Sequence, residues 1–480
     1  MISNDAIRVR FAPSPTGFVH VGSLRTALYN YLFARRLGGK FILRIEDTDQ
    51  TRYVEGAVGN LIATLLWAGL GYDEGPEAGG SFGPYFQSQR LDIYREHARQ
   101  LLQNGSAYPC FCSAERLEQM RRDQAAKGET QMYDGFCRHI PQDEALRRMK
   151  EETHVIRLRA PQEGESVVDD IVRGRVAFQN NLIDDQVLIK SDGFPTYHMA
   201  NVVDDHLMQI SHVIRGEEWL PSAPKHLLLY QAFGWMPPQF AHLPLLLNPD
   251  RSKLSKRQGD VAVEDYRAKG ILPQSLLNFV ALLGWSKGDD QELLTLAELI
   301  EHFSLERVNK SGAVFDLHKL DWMNGHYIRS ISEEEYFLIG LDWMNREQLD
   351  AGSATLNREI LKAVRPSLNR FNELTDRCAL FFHDRQTYSD EAREWIIKPE
   401  SRNIFQKMIE YLQPVPELTT DIFRQVMKDI QKVTGVKGQE LWMPVRAAIT
   451  GVTHGPELPV VLSVIGKEKT LRFLQQAIEL

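Results

Sequence analysis

The stretch Arg8-Val-Arg-Phe-Ala-Pro-Ser-Pro-Thr-Gly-Phe-Val-His-Val-Gly-Ser-Leu-Arg-Thr-Ala-Leu28 decides the fold. Ile7, Val9 and Phe11 alternate with Arg8 and Arg10, the period-two pattern of a short strand. Two prolines and Gly17 exclude both helix and strand over residues 13–17, so this piece is a fixed turn. From Ser23 onward Leu24, Ala27, Leu28, Tyr31 and Leu32 recur at helical spacing, and Gly38-Gly39 ends the run as a C-cap. A strand, a rigid turn and a helix N-terminus bearing His20, Gly22 and Ser23 make a cradle for an anion. The first N–H groups of a helix lack intrahelical partners, and the dipole there favours phosphate. Neither a P-loop nor a G-x-G-x-x-G dinucleotide motif is present. Any strand–loop–helix junction shares part of this pattern, and a lone histidine beside a glycine is more often structural. The stretch therefore sets the fold class before it sets a function.

The second decisive stretch lies far downstream, at Lys253-Leu-Ser-Lys-Arg257. Its two lysines, beside Ser255 and Arg257, can converge on one polyanion, and Asn248-Pro-Asp250 with Gly259 reads as a mobile loop. By itself the pentapeptide is a solvated basic turn. Taken together, His20-Val-Gly-Ser23 and Lys253-Leu-Ser-Lys-Arg257 resemble the two signature motifs of class I aminoacyl-tRNA synthetases, the "HIGH" element, whose last position departs from His in one subfamily, and the "KMSKS" element. Phe11-Ala-Pro-Ser-Pro-Thr-Gly17 and Arg44-Ile-Glu-Asp-Thr-Asp49 resemble the bacterial glutamyl-tRNA synthetases in particular, and the resemblance spans essentially the whole chain.

A chain of 480 residues is too long for one core and asks for three or more domains. Hydrophobic content of 43% with 25% charged residues describes an ordinary globular protein and excludes a disordered or fibrous one. No apolar run is long enough to span a bilayer, and the first ten residues lack the apolar centre of a signal peptide. Four cysteines in so long a chain make no disulfide framework, which points to a reducing cytoplasm. The net charge of −8 gives no help to nucleic-acid binding, so any contact to RNA must come from local basic faces.

Residues 39–45 read as a second, almost continuously apolar strand of a buried parallel sheet. Asp49 or Thr48 is expected to cap a helix over residues 54–69. Glu46 stands at the carboxyl end of the strand, where open α/β sheets place their ligands, and a carboxylate there can hold an ammonium group. Three of the four cysteines and one histidine fall into two short clusters, Cys110-Phe-Cys112 and Cys137-Arg-His139, a donor set that suits tetrahedral structural zinc. Cys378 lies apart and reads as a small buried apolar residue. Residues 113–128 form a charged helical run, and residues 153–189 alternate like strands, a β-rich insertion that returns the chain to the first sheet. A helix from Tyr197 sets Tyr197, Asn201 and Asp205 along one side, a spacing that is usually only a wet face. Arg10 and Arg215 both close a strand, and a guanidinium pairs bidentately with a carboxylate, as an acidic substrate requires. Past Arg257 the periodicity is helical, over residues 272–283, 294–303, 315–323, 361–382, 404–412, 422–433, 441–450 and 469–478, so the C-terminal third is all-α. Its basic residues Arg365, Arg370, Lys432, Lys437 and Arg446 are scattered and form no tract that identifies RNA.

The resemblance implies an α/β fold in which a parallel Rossmann-like catalytic domain (residues 1–107 and 190–250) is split by an inserted acceptor-binding domain with the zinc site (108–189). A loop and helical stem-contact domain (251–330) and an all-helical anticodon-binding domain (331–480) follow. It implies ATP-dependent ligation of L-glutamate to the 3′-terminal adenosine of tRNA(Glu) through a glutamyl-adenylate, releasing AMP and pyrophosphate, with activation dependent on bound tRNA. ATP, carrying Mg²⁺, would meet Pro13, Ser14, Thr16, Gly17, His20, Gly22, Ser23, Lys253, Ser255, Lys256 and Arg257, with His20, Lys253 and Lys256 catalytic. Glutamate would meet Arg10, Ala12, Ser14, Glu46, Tyr197, Asn201 and Arg215, and zinc would be held by Cys110, Cys112, Cys137 and His139. A cytoplasmic monomer is expected. After Arg365-Pro366, where discriminating family members commonly carry an arginine that reads the anticodon, this chain has Ser367, which leaves tRNA(Gln) open as a second substrate. A non-catalytic zinc-bearing RNA-binding relative is the reading from a different class, disfavoured by the intact His20, Glu46, Arg215 and loop lysines.

Overall fold

In the computed structural model, which describes residues 7–254 and 262–480, strand β1 (Arg8–Phe11) runs parallel to β2 (Lys40–Leu43), with Arg8 opposite Lys40 and Phe11 opposite Leu43. All four residues of β1 are buried, the arginines included, because a parallel strand is covered on both faces. Between them α1 (Val21–Arg36) starts two residues earlier than the hydrophobic spacing predicts. The cause is His20, which takes the N-cap position and accepts the Gly22 N–H. Gly38 at φ +66° closes the helix in the left-handed conformation that favours glycine. The next helix, α2 (Ala57–Trp67), is capped by Gly56 rather than by Asp49 or Thr48; Asp49 instead caps a single turn at Gln50–Arg52 by accepting the Thr51 N–H.

The contacts divide the chain into two units, Met1–Asp265 with Leu276–Asp316, and Tyr266–Ser275 with Leu317–Leu480. In the first unit α3 (Leu91–Gln103) leads into β3 (Ala107–Cys110), which pairs antiparallel with β4 (Val155–Leu158). The strands predicted over residues 153–189 do not stay together. β5 (Glu165–Asp170) and β6 (Gly174–Gln179) form a hairpin, whereas β7 (Val187–Ile189) joins β4. The hairpin leaves the insertion altogether. After α4 (Tyr197–Leu207) come β8 (His212–Gly216) and β9 (Gln239–Leu243), which are parallel, and β5 adds to the outer side of β9 through Asp170 opposite Phe240. The sheet order is β6-β5-β9-β8, and the Ser211 N–H donating to the Arg8 carbonyl at 2.9 Å sets β1 beside the start of β8. Apolar residues fill both sides: Ile42, Val213 and Phe240 in one cluster, Tyr94, Val202 and Leu229 in another. This α/β core brings the carboxyl ends of β1, β2 and β8 to one edge, the ligand edge of an open sheet.

The second unit is helical throughout its described residues. Residues 361–382, expected as one segment, are two helices, Ala354–Val364 and Leu374–Phe382. Pro366 has no N–H to continue the ladder, so the first helix ends at Val364 and passes into a single 3-10 turn over Arg365–Ser367. The final helix Leu458–Ile478 begins well before residue 469 and kinks at Gly466, where φ is +75°. Two apolar clusters form its interior, one around Tyr336, Phe371 and the fully buried Cys378, the other around Phe405, Phe423 and Phe473. Among the described residues no helix is long and apolar enough to cross a membrane.

Candidate active site

A cavity of about 880 Å³ opens at the carboxyl edge of the first unit's sheet. Of the residues expected at ATP, Pro13, Ser14, Thr16, His20, Gly22, Ser23 and Lys253 line it. Gly17 is not on its wall; at φ +146° it supplies the backbone bend of the turn. Ser255, Lys256 and Arg257 lie outside the described residues. Lys253 and Leu254 nonetheless bring the downstream motif to the cavity, and on the far side of it Ala262 pairs with His20, with the Val263 N–H donating to the Val19 carbonyl at 2.9 Å. The two motifs thus meet. Of the stretch expected to be a mobile loop, Asn248-Pro-Asp250 opens a hydrogen-bonded turn, in which the Asn248 N–H donates to the Ser252 carbonyl at 2.8 Å and Asp250 accepts the Ser252 N–H at 2.8 Å, while Gly259 lies outside the described residues.

His20 Nδ1 accepts the Gly22 N–H at 2.9 Å, so the proton of the neutral ring sits on Nε2. A Cβ on Gly22 would fall 3.2 Å from that Nδ1, so glycine lets the ring lie flat against the helix start.

All seven residues expected at glutamate, Arg10, Ala12, Ser14, Glu46, Tyr197, Asn201 and Arg215, line the same cavity. Beneath its floor the charges are matched. Arg10 grips Asp205 with Nε at 2.9 Å and Nη2 at 3.1 Å, and Arg44 bridges Asp205 at 2.8 Å and Glu46 at 3.1 Å. Asp204 takes Arg90 Nε at 2.7 Å, Gln87 and the Tyr94 hydroxyl. Burial would raise Asp205, but Arg10 and Arg44 override it and hold its carboxyl below the usual range. For Glu46 burial wins and the carboxyl is pushed up, although Arg44 and Arg10 oppose it. Asn201 Nδ2 donates to Glu46 Oε1 at 3.2 Å and fixes that carboxylate from the helix side.

The wall is different. Arg215, 5% exposed, donates from Nε to His242 Nε2 at 3.1 Å, from Nη1 to the Tyr197 hydroxyl at 3.0 Å and towards His226 Nδ1 at 3.4 Å, and from Nη2 to the Trp219 carbonyl at 3.4 Å. Every one of these partners is neutral, and among the described residues no carboxylate lies within ion-pair distance. A buried guanidinium without a counter-ion at a cavity wall is a receptor for an anion.

Asp205, Asp170, His226 and His242 escaped the sequence reading of the site. In the sequence Asp205 is only the third polar residue on a wet helix face. The histidines carry no local signal, because their partners arrive from other strands and helices.

Apart from the cavity, Cys110, Cys112 and Cys137 bring their sulfurs within 4.8 Å of one another. Cys112 and Cys137 are 3.6 Å apart, close to the separation of about 3.8 Å that two thiolates take on one tetrahedral zinc. Hydrogen bonds from Cys137, Tyr133 and Arg157 hold the Cys110 thiol well below its ordinary value, the charge state a cation needs. The Tyr133 hydroxyl lies 3.3 Å from the Cys110 sulfur and 3.4 Å from that of Cys112, whereas His139 is exposed and outside the cluster.

In the second unit, Arg365 donates to the carbonyls of Ile328, Arg329 and Ile331, Arg446 to that of Pro456, and Arg370 and Lys432 pair with Asp321 and Asp429. The Ser367 hydroxyl donates to the Val364 carbonyl at 2.8 Å.

The cavity lies in a class I aminoacyl-tRNA synthetase catalytic domain, as the comparisons with known proteins show. The family described as tRNA synthetases class I (E and Q), catalytic domain, matches residues 6–322, and an anticodon binding domain family matches residues 326–478. The chain is 47% identical to the glutamate–tRNA ligase of Alkaliphilus metalliredigens, over 97% of each chain, and 48% identical to that of Clostridioides difficile over the same shares. A glutamate tRNA ligase from Elizabethkingia meningosepticum, crystallised in complex with its amino acid, superposes with a TM-score of 0.89 at 36% identity, covering 99% of both chains. The chain belongs to the glutamate–tRNA ligase family.

Proposed function

We propose that the chain activates L-glutamate with ATP in this cavity and transfers it to the 3′-terminal adenosine of tRNA(Glu). The observation that carries the reading is Arg215, a buried guanidinium with only neutral partners on the wall of the cavity that His20 and Lys253 also line. The side-chain carboxylate of glutamate supplies the missing counter-charge; glutamine, neutral at the same place, does not. Glu46, held by Arg44 and Asn201, takes the α-ammonium. An oxygen of the α-carboxylate then attacks the α-phosphorus of ATP, and the bond to pyrophosphate breaks. His20 Nε2–H and the N-terminus of α1 face the phosphates, while Lys253 and Lys256 stabilise the charge that develops on them. Mg²⁺ accompanies ATP. A ribose hydroxyl of the terminal adenosine, the 2′-OH by family likeness, next attacks the mixed anhydride and AMP leaves.

Zinc, where bound, is structural: Cys110, Cys112 and Cys137 would hold it and stiffen the insertion. His139 reaches the fourth position only if its exposed ring turns inward. Zinc content should vanish in Cys137→Ser, and it should also fall in His139→Ala if His139 is a ligand. The four free thiols suit the reducing cytoplasm we assign to the chain.

The deciding experiment is glutamate-dependent charging of purified tRNA(Glu) and tRNA(Gln). Glutamate should be attached to tRNA(Glu), and glutamine should not replace it; failure to charge either tRNA rejects the reading. Charging of tRNA(Gln) as well is the second reading, favoured by Ser367, whose hydroxyl is turned to a backbone carbonyl. Lys256→Ala should lower kcat far more than it raises the glutamate KM.

A further inference from the structure

The carboxylate of Asp170 sits at the end of β5, on the hairpin that leaves the insertion to join the main sheet. It meets His242 Nδ1 at 2.6 Å, and both side chains are fully buried. His242 Nε2 in turn faces Arg215 Nε at 3.1 Å. An arginine can only donate, so Nε2 must be the acceptor and the ring proton must be on Nδ1, where Asp170 receives it. The tautomer follows from the partners alone. We propose that Asp170 and His242 are positioning residues for the amino-acid substrate: Asp170 fixes the His242 tautomer, and His242 holds the Arg215 guanidinium at the angle that receives the side-chain carboxylate. This rests on the reading of Arg215 as the carboxylate receptor.

The rest of Asp170's hydrogen bonding makes the inference sharp. Its Oδ1 accepts the Val172 N–H at 3.0 Å and the Arg173 N–H at 2.8 Å, and the His242 N–H lies 3.1 Å and 3.2 Å from the two carboxylate oxygens. In Asp170→Asn the amide oxygen must stay among those backbone donors, which turns the NH₂ towards His242 Nδ1. Nδ1 then has to accept, the ring proton moves to Nε2, and two N–H groups confront each other at Arg215. A volume-neutral change three bonds removed from the substrate thus unseats the receptor. Burial and the Arg215 charge both keep His242 neutral, against the pull of Asp170, so the ring does not escape by taking up a second proton.

A strut that only tied β5 to β9 would behave differently, since its loss would disturb ATP and glutamate alike. The test is kinetic and spectroscopic, on the full-length enzyme. Asp170→Asn and His242→Phe should raise the glutamate KM by roughly tenfold to a hundredfold, the loss of one hydrogen bond to a charged group, and leave the ATP KM within about twofold. His242→Gln, whose amide oxygen reaches the Nε2 position, should recover most of the glutamate affinity that His242→Phe loses. In the wild type, ring-nitrogen NMR shifts should report His242 protonated at Nδ1, and in Asp170→Asn at Nε2. Equal rises in both KM values, an unchanged glutamate KM, or a wild-type ring protonated at Nε2 or at both nitrogens overturns the proposal. The wild-type NMR measurement needs neither substrate nor a folded variant, so a ring protonated elsewhere than at Nδ1 overturns the proposal even if the substitutions unfold the protein. A wild type that charges no glutamate would instead sink the assignment of Arg215 and leave the tautomer result standing.

Discussion

Two arginine sites of one cavity serve opposite ends. Under the cavity floor, Arg10 and Arg44 are saturated by Asp205 and Glu46, with Arg90 and Asp204 alongside. On the wall, Arg215 rests on histidine, tyrosine and a backbone carbonyl. Both sites bury charge at real desolvation cost, but the floor offsets that cost inside the protein, whereas the wall leaves it for a ligand to offset. Matched charge here is mainly architecture that fixes β1, the segment after β2 and α4 to one another, Glu46 alone being proposed to meet the ligand as well. Unmatched charge is recognition.

The contrast breaks most visibly at Asp205. Asp205→Asn takes from Arg10 its ion-pair partner and leaves Arg44 with Glu46 at 3.1 Å and Asp204 at 4.0 Å, and a broken buried ion pair costs about 3–5 kcal/mol. Urea unfolding should show that loss, and an intact midpoint would mean the floor is not structural. Arg215→Met should do the reverse. It removes an uncompensated charge, so the midpoint should hold or rise, while the glutamate KM rises roughly a hundredfold, in line with the loss of a buried charge pair. A variant that loses stability and keeps its KM would make the wall a second floor.

How much of this was legible in the sequence divides along the same line. The strand–turn–helix start, the cysteine clusters and the helical third could be read because each signal is local: a period, a spacing or a proline. Glu46 and Arg215 could be read from their places at strand ends. Asp205 could not, because its charge is matched from β1 and from the segment after β2, far away in the chain. Asp170 was hidden by topology: residues 165–179 alternate like any hairpin, and nothing local says that they pair with a strand some seventy positions later. Pairing partners distant in sequence leave no trace in a period, and the second layer of the site is built from such partners. The misplaced cap at Asp49 has a simpler cause, since a carboxylate two residues before an N–H will cap whichever turn comes first.

The neutrality of the wall has a pH signature of its own. His226, 1% exposed, lies against Arg215 on one side and His198 on the other, 3.0 Å away. Burial first, then the charge of Arg215, holds its imidazole well below the ordinary value. The folded chain therefore keeps this ring neutral where the unfolded chain, titrating near 6.5, takes up a proton. Its contribution to stability is full above about pH 6.5 and is lost progressively as the pH falls below it, at up to about 1.4 kcal/mol per pH unit. Replacing it in His226→Leu should flatten the wild-type decline between about pH 6.5 and pH 5 by that slope, read from urea midpoints across the range. An unchanged slope would place the acid sensitivity elsewhere.

The smallest change tests whether the phosphate side is independent of both. Gly22 sits in the first turn of α1 at an ordinary backbone angle, so alanine is permitted there and gains up to about 1 kcal/mol of helix propensity. Against that gain, its Cβ would lie 3.2 Å from His20 Nδ1 and 3.8 Å from the Leu246 side chain, so the imidazole must yield by a few tenths of an ångström. The two effects nearly cancel in stability, and Gly22→Ala should unfold within about 1 kcal/mol of the wild type. They do not cancel in chemistry if the ring acts as proposed, since the displaced ring is the one assigned to the phosphates. The expected outcome is a lower kcat and a higher ATP KM, with the glutamate KM unmoved because Arg215 and Glu46 belong to other elements. If glutamate affinity falls with it, floor, wall and cradle are one coupled site, and the separation of charge matching from charge recognition does not hold.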